Sequence, residues 1–442
     1  MESRRLNYLS LAIAMALLRG SSSFGATVFA VDCSRDAVQA AIDAAESGDT
    51  VVIPTGSATW AEPVKVLVPK QLTIQGAGQE STVITWACPV QQWTYAPFWY
   101  VVGKEESVRF TQLGFVAYSN ALFGCIAIIG DNAGIRIDHC KFTIANLAGN
   151  TRGIYIGSGG ARGVIDHCYF YAPEKTTAAG ITCFGQTNNW HRPHTYGTTN
   201  ALYVEDCVFD FVHANDSALD GYQGVHYVFR RNEVTNAMLS HHGTDSGSLR
   251  STRSYEVYDN TFYTTNSLAR VFFSRGGSGV LFNNTAVGPY GRGVVYYYYR
   301  ADWKYTNQVA SWGMVTGTNH LDGNFDSTGY PALDQPGRGS FPDNSSWPDV
   351  NAVSYATNDY QTLEGAYQWG NTLNGAPMVS HVQDAFLKNG TYPTPPDLIR
   401  KDRDYFDEIV KSGYSPLPYP HPLITDGLPP SPPRDLIISG PR

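Results

Sequence analysis

Charge is scarce in this chain. Only 16% of its 442 residues are Asp, Glu, Lys or Arg, and the formal net charge is −8. An acidic balance with few cations argues against a nucleic-acid partner. Cysteine is sparse too, at seven residues, and no two of them stand as CxxC. Such a count does not suggest a small disulfide scaffold and gives a structural zinc site no support. Cys33 and Cys88 lie outside the regular part of the chain, and whether they pair stays open at this level. Past the first thirty residues no apolar stretch is long enough to span a membrane. Helical patterns of 10–15 residues do not separate the strand-like segments, which excludes a series of βαβ units. The chain does hold 43 Gly, 25 Pro and 28 Tyr. High Gly and Asn with few charges suits tight turns between short strands.

The strand-like segments share one eight-residue phrase. VRFTQLGF (108–115), IRIDHCKF (135–142), GVIDHCYF (163–170), LYVEDCVF (202–209), YVFRRNEV (227–234) and YEVYDNTF (255–262) align without gaps, and GVLFNNTA (279–286) is a weaker copy. Their sixth position reads Leu113, Cys140, Cys168, Cys207, Asn232, Asn260, Asn284, at steps of 27, 28, 39, 25, 28 and 24 residues. A period in this range marks a repeat architecture. A single coil of that length cannot bury its own apolar face, so coils must stack. Cysteines in three successive coils and asparagines in the next three read as side-chain ladders within the stack. They are core residues and not catalytic ones.

Two ends frame the stack. Residues 1–30 read as a secretory signal: Arg4 and Arg5, an apolar run from Leu9 to Leu18, and Val28-Phe29-Ala30 at the cleavage position. Secretion to the cell exterior or periplasm follows as an expectation. After it, AVQAAIDAAESGD (37–49) is apolar at Val38, Ala41, Ile42 and Ala45, with Ser34 as N-cap and Gly48 as terminator. TVVIPTG (50–56) and LTIQGAG (72–78) follow as strands and turns. This stretch resembles the entry to right-handed parallel β-helix proteins of the pectate-lyase-like superfamily, whose capping helix reads "VQAAIDAA-GDTVVIPxG". With the coils, the resemblance covers about three-fifths of the chain. It implies an all-β chain: one parallel β-helix over 31–310, capped by a helix at 36–47. An irregular C-terminal region (311–442) would pack on the solenoid. Phrases there, GYPALDQPGRG (329–339) and YPHPL (419–423), resemble the tails of secreted bacterial β-helix proteins of unassigned role.

Chemistry is concentrated in two places. The 39-residue step contains an insertion, GQTNNWHRPHTYGTTN (185–200), and insertions in solenoids map to loops on a binding face. Trp190 and His191 are its candidate sugar contacts. The second place is SHHGTDSGSLRSTRSYE (240–256). Taking the sixth position of each phrase as zero, Asp216 and His241 share offset +9, and Asp220 and Asp245 share +13. Arg270 and Arg275 fall at +10 and +15 one coil on. This register predicts one cluster, with His241, His242, Asp245, Arg250 and Arg253 catalytic and Asp216, Asp220, Arg270 and Arg275 binding substrate. If His241 and His242 lie on a strand, only one of them faces outward. Six arginines against two acids between 250 and 300 make a local basic patch. Arginine binds carboxylates bidentately, so an anionic, uronate-containing polysaccharide is the partner this patch suits. The chain is expected to act as a monomer.

Two reactions fit. A polysaccharide lyase neutralises the uronate carboxylate, removes the adjacent proton and protonates the leaving oxygen. Ca²⁺ held by Asp216, Asp220 and Asp245 is one way to do the first task. A glycoside hydrolase needs two carboxylates, for which Asp220 and Asp245 are candidates. The linear motifs of polygalacturonases are missing: HHG stands in place of GHG, and no RIK follows. The motif set of calcium pectate lyases is missing too. A third reading is a non-catalytic surface β-helix, which the His, Asp and Arg cluster disfavours. The sequence reading is a secreted lyase.

Overall fold

The computed structural model describes residues 25–424, except 89–95, 105, 119–122, 131–133, 146–150, 158, 174–178, 187–188, 191–192, 214–216, 244–249, 298–333, 341–361 and 384–398. Each coil lays down three strands in a fixed order. One coil supplies Gly134–Asp138, Lys141–Ile144 and Arg152–Gly157. The next supplies Arg162–Asp166, Tyr169–Ala172 and Ala179–Phe184. Like strands of successive coils pair in parallel, so that Ile165 lies beside Ile137, Phe170 beside Phe142 and Ile181 beside Ile154. Among the described residues three sheets of 12, 11 and 10 strands result, called first, second and third here in the order each coil visits them. The chain is a parallel β-helix, wound in the right-handed sense that crossovers between parallel strands adopt.

The repeated phrase is the corner between the first and second sheets. Its fifth residue turns the chain with positive φ at Gln112, His139, His167, Asp206, Arg231, Asp259 and Asn283, all between 52° and 59°. Short polar side chains tolerate this left-handed conformation better than apolar or branched ones, which explains the polar fifth position. The sixth residue points into the core and continues the ladder. Asn232, Asn260, Asn284 and Asn371 chain their amides along the axis, each Nδ2 donating to the next Oδ1 at 3.1, 2.9 and 2.8 Å. Each Oδ1 also accepts the backbone N–H of the preceding rung. The cysteine rungs do the same work more weakly, with the Cys140, Cys168 and Cys207 thiols donating to backbone carbonyls. The eighth residue forms a ring stack, Phe115, Phe142, Phe170 and Phe209, at 4.6–5.3 Å between centroids. Each buried phenylalanine contributes on the order of 1.5–3 kcal/mol.

Asn371 was not legible as part of the ladder. It sits in AYQWGNTL (366–373), an eighth copy of the phrase displaced by the long segment after Tyr297. Ala366–Trp369 pairs with Gly279–Phe282, and Tyr405–Asp407 pairs with Ala366–Gln368 beyond it. The stack therefore does not stop at 310, because two further strands of the first sheet come from the region read as irregular. The ladder gives a first prediction. Asn260→Ala leaves the Asn232 N–H without its acceptor, and an orphaned buried donor costs about 1–3 kcal/mol. A urea titration should show that loss, and an unchanged midpoint would mean the ladder is decorative.

Both ends are covered. The capping helix α1 spans Arg35–Ala44, with Ser34 Oγ accepting from the Ala37 N–H. It stops three residues earlier than expected because Lys70 Nζ reaches over to satisfy the last carbonyls, Ile42 O at 2.9 Å and Ala45 O at 2.6 Å. Val38, Ala41 and Ile42 bury its apolar face. Ahead of it, Thr27–Phe29 forms the outermost strand of the first sheet against Thr50–Val52. Cleavage after Ala30 would strip this strand from the sheet, and most of the segment expected as a signal (1–30), residues 1–24, lies outside the described residues. Among the described residues no helix is long and apolar enough to cross a membrane. At the other end, residues 411–424 form a strap running back along the first sheet. Tyr414 donates to Glu256, Leu417 O accepts from Arg230, and the His421 N–H donates to Glu205.

Candidate functional site

The third sheet carries the outward-facing chemistry. Its strands alternate, so Leu219, Gly221, Leu239 and His241 face the core while Asp220, Tyr222, Ser240 and His242 face out. His241 is fully buried, with Nε2 2.5 Å from the Tyr227 hydroxyl and its ring among Tyr227, Tyr255 and Phe272. His242 is the outward one. Its Nδ1 lies 2.8 Å from Asp220 Oδ1 and its Nε2 lies 3.1 Å from the Tyr222 hydroxyl. An ionised carboxylate can only accept, so Nδ1 carries the proton and Nε2 accepts from the phenol. The result is a continuous relay, Tyr222 O–H to His242 to Asp220.

Electrostatics fit the relay. Burial alone would raise the Asp220 carboxyl, but the hydrogen bond from His242 and the Arg275 charge hold it below the ordinary carboxylate value. Burial and then the Asp220 charge push the Tyr222 phenol well above its usual value, so it is protonated near neutrality. Aromatic rings continue the face along the axis: Phe123, Tyr155, Phe184, Tyr222 and His242 follow one another at 4.6, 5.4, 4.4 and 3.9 Å. Arg152 stands beside this row and donates to Thr182 Oγ1 at 2.7 Å. Arg275 donates to His241 O and, with Arg270, sandwiches the Phe273 ring.

Other residues proposed from the sequence lie elsewhere. Trp190 is fully buried, donates Nε1–H to Ser251 O, and packs between Arg250 and Arg253 at 5.0 and 5.2 Å. Arg250 is 1% exposed, and Asp334 accepts from its Nε and from one terminal nitrogen, both at 2.6 Å. Arg253 is fully buried and bonds Glu364 at 2.8 Å. These three are corrections: an arginine bound to a buried carboxylate inside the fold presents no fork to a polysaccharide. The inserted loop is a brace and not a cleft wall. Tyr196 reaches Ser278 and Glu364, and the Gly197 N–H reaches Glu256. Asp216, Asp245 and His191 lie outside the described residues. Of the three candidate Ca²⁺ ligands only Asp220 is described, and it is engaged by His242. Among the described residues no three His, Cys, Asp or Glu side chains are grouped to hold a metal.

The register ruler slipped by five residues. Gly221, not Asp216, stands beside His241, and Asp220 stands beside Ser240. From Asp210 to Leu219 the chain advances nine residues, and from their partners, Thr235 to Leu239, it advances four, so equal offsets do not mean equal positions. Tyr155, Phe184 and Tyr222 were missed for this reason, although each stands at an outward position of its strand.

Three parallel sheets, left-handed corners and the asparagine ladder settle the architecture. This chain is a right-handed parallel β-helix. No protein-family model matches it, and no curated protein matches it. Among solved structures, an alginate lyase from Paenibacillus sp. str. FPU-7 is similar at 15% identity and a TM-score of 0.35, covering 59% of this chain and 95% of that one. ORF18 of Geobacillus virus E2 is similar at 13% identity and a TM-score of 0.28, covering 65% of this chain and 62% of that one. Both are distant neighbours.

Buried histidines give this β-helix a pH dependence. Burial holds His241 and His194 down to about 3 and His421 to about 4, and it lowers His226 far below its ordinary value. An unfolded histidine titrates near 6.5, so below that pH the unfolded chain binds more protons than the folded one. Stability from these four is complete above about pH 6.5 and drains away as the pH falls from there. His167 acts oppositely, since its bond to Asp166 raises it. The carboxyls of Glu205, Asp206 and Glu256, raised by burial, act in that opposing sense too, and the four histidines, displaced furthest, set the net direction. The urea midpoint should therefore fall between pH 7.5 and pH 5, and a rise over that range would contradict the burial of these rings.

Proposed function

We propose that this β-helix is a polysaccharide lyase that cleaves a uronate-containing polymer by β-elimination on the outer face of the third sheet. The observation that carries the reading is the Tyr222–His242–Asp220 relay set in a row of aromatic rings. Aromatic faces pack against sugar rings, and Arg152 and Arg275 supply positive charge beside the relay. A uronate carboxylate placed there gains electrostatic stabilisation as its neighbouring carbon loses a proton.

The relay accounts for both proton movements. Tyr222 passes its proton to His242 Nε2 as the phenolate oxygen takes the proton from the carbon next to the carboxylate. The electron pair of that C–H bond becomes the new carbon–carbon double bond, and the glycosidic C–O bond breaks. Tyr222 then delivers its newly gained proton to the leaving oxygen, and His242 returns the first proton to Tyr222. The chain ends as it began, and the proton removed from carbon ends on the leaving group. Asp220 stabilises the imidazolium formed in between and fixes its tautomer. Glycoside hydrolysis is the second reading, and it needs Asp245 as partner to Asp220.

A panel of polysaccharides separates the readings. Ultraviolet absorbance of unsaturated products together with new reducing ends supports the lyase. Reducing ends without absorbance would replace it with a hydrolase. Binding with neither signal would make the chain a non-catalytic carbohydrate-binding solenoid.

A further inference from the structure

The first sheet holds a second arginine-lined site, on a face remote from the relay. A cavity of about 660 Å³ opens between this sheet and the strap, within the range of about 300–1,000 Å³ that ligand clefts occupy. Arg109, Arg136 and Arg162 line it from three successive coils, and His421, Pro422 and Leu423 of the strap close it. Arg109 bonds Asp138 through two nitrogens, at 2.7 and 3.1 Å. Arg136 Nε lies 3.3 Å from Asp138 Oδ2 and 3.6 Å from Asp166 Oδ1, yet its N–H makes no hydrogen bond. Arg162 is exposed and has no acceptor among the described residues. Asp138 and Asp166 are fully buried beneath the arginines, each with one histidine ring nitrogen on it, His139 and His167.

His421 supplies the decisive detail. It is 1% exposed, and its Nδ1 accepts the Leu423 N–H at 3.2 Å. The ring is neutral, so the proton sits on Nε2, and that N–H meets no acceptor. A buried donor left unpaired is costly, and such groups mark places where a missing acceptor belongs. Two unpaired buried donors, Arg136 Nε and His421 Nε2, thus belong to residues lining one cavity.

The local charge limits what that acceptor is. Three arginines stand against Asp138, Asp166 and, at the rim, Glu106, so the formal charges balance; Glu106 turns back to accept the Gly103 N–H, which leaves Arg162 as the cation without an acceptor among the described residues. A singly charged carboxylate suits this balance better than a phosphate dianion. The remaining walls are amphipathic. Gln71 and Ser107 offer polar groups and Pro422 and Leu423 offer apolar surface, while Leu72, Val108 and Ile135 turn their side chains into the core. This is the mixture a pyranose ring presents in return: hydroxyls at its edge and C–H groups on its faces.

We infer that the cavity between the first sheet and the strap is a saccharide-binding site for one uronate unit, separate from the third-sheet relay. The choice of a uronate rests on the proposed lyase reading; the demand for a carboxylate rests on the cavity alone. Such a site would hold the polymer on the solenoid between cleavages.

The test follows the site itself. The full chain, labelled with ¹⁵N-histidine, is titrated with glucuronate, which has no glycosidic bond to cleave. The His421 signals are assigned by their loss in His421→Gln. They should move with glucuronate and stay still with glucose. Arg162→Ala removes an exposed side chain without touching the core and should weaken the apparent Kd roughly ten- to hundredfold. Tyr222→Phe should leave this titration unchanged while lowering turnover by about 10²–10⁴-fold, which keeps failure of the relay distinguishable from failure of the cavity. Movement with acetate at the same concentrations as with glucuronate would reduce the cavity to a bare carboxylate site and overturn the proposal. So would a His421 signal that ignores glucuronate, or an Arg162→Ala titration equal to the wild type.

Discussion

Tyr222→Phe is expected to lower kcat/KM on a uronate polymer by about 10²–10⁴-fold, the span a positioned acid–base group contributes. The substitution removes one oxygen at a half-buried position of the third sheet and leaves the ring stack with Phe184 and His242 in place. Thermal stability should therefore hardly move. Asp220→Asn is the companion. It keeps the shape but turns an obligate acceptor into a group that can donate to His242, so the tautomer that accepts from Tyr222 is no longer enforced. Its loss should be of similar size, and its pH–rate profile should shift where that of Tyr222→Phe does not. Full activity in Tyr222→Phe would remove the relay from the mechanism.

The second large effect is on stability. Arg250→Ala should cost about 3–5 kcal/mol, because it leaves the Asp334 carboxylate buried without its partner. Asp334 also accepts the Ser251 N–H at 3.2 Å, and Arg250 lies under the Trp190 ring, so the loss spreads into the brace. A urea titration measures the cost. Activity per folded molecule should be preserved, since the guanidinium is not on the outer face. Read from the sequence as a carboxylate clamp, Arg250 would give the opposite pattern, with turnover lost and stability kept. A stable but inactive Arg250→Ala would restore that reading.

How far the molecule was legible follows from the range of its interactions. The corner phrase repeats because every rung solves the same local problem: a polar residue in the left-handed conformation, then a side chain that bonds the next rung. The period, the ladders and the cap could thus be read in order. His242 was within reach for the same reason, since adjacent residues on a strand face opposite ways and one of the pair had to point outward. The partners of the buried arginines could not be reached. Asp334 lies 84 residues from Arg250, and Glu364 lies 111 from Arg253. Charge patterning along the chain cannot tell a cation paired inside the fold from one facing a ligand. The cavity on the first sheet was hidden likewise, because its wall is His421, more than two hundred residues beyond Arg162 in the chain. Turn lengths decided the rest: unequal turns moved Tyr222 and Asp220 into the place assigned to others.

The strap has a consequence for how the molecule is made. Coils stack in the order they are synthesised, each resting on the one before, so the solenoid can grow as the chain emerges. The strap breaks that order. Glu205, Arg230 and Glu256 wait in the middle of the stack, and the residues that cover them, 414–421, are translated only after the rungs described above. A nascent chain halted before Tyr414 would hold nearly every rung yet expose a row of charges and rings built for burial. Completion is thus a single late event that runs backward along the finished stack, and chaperones or proteases could sense whether it has happened.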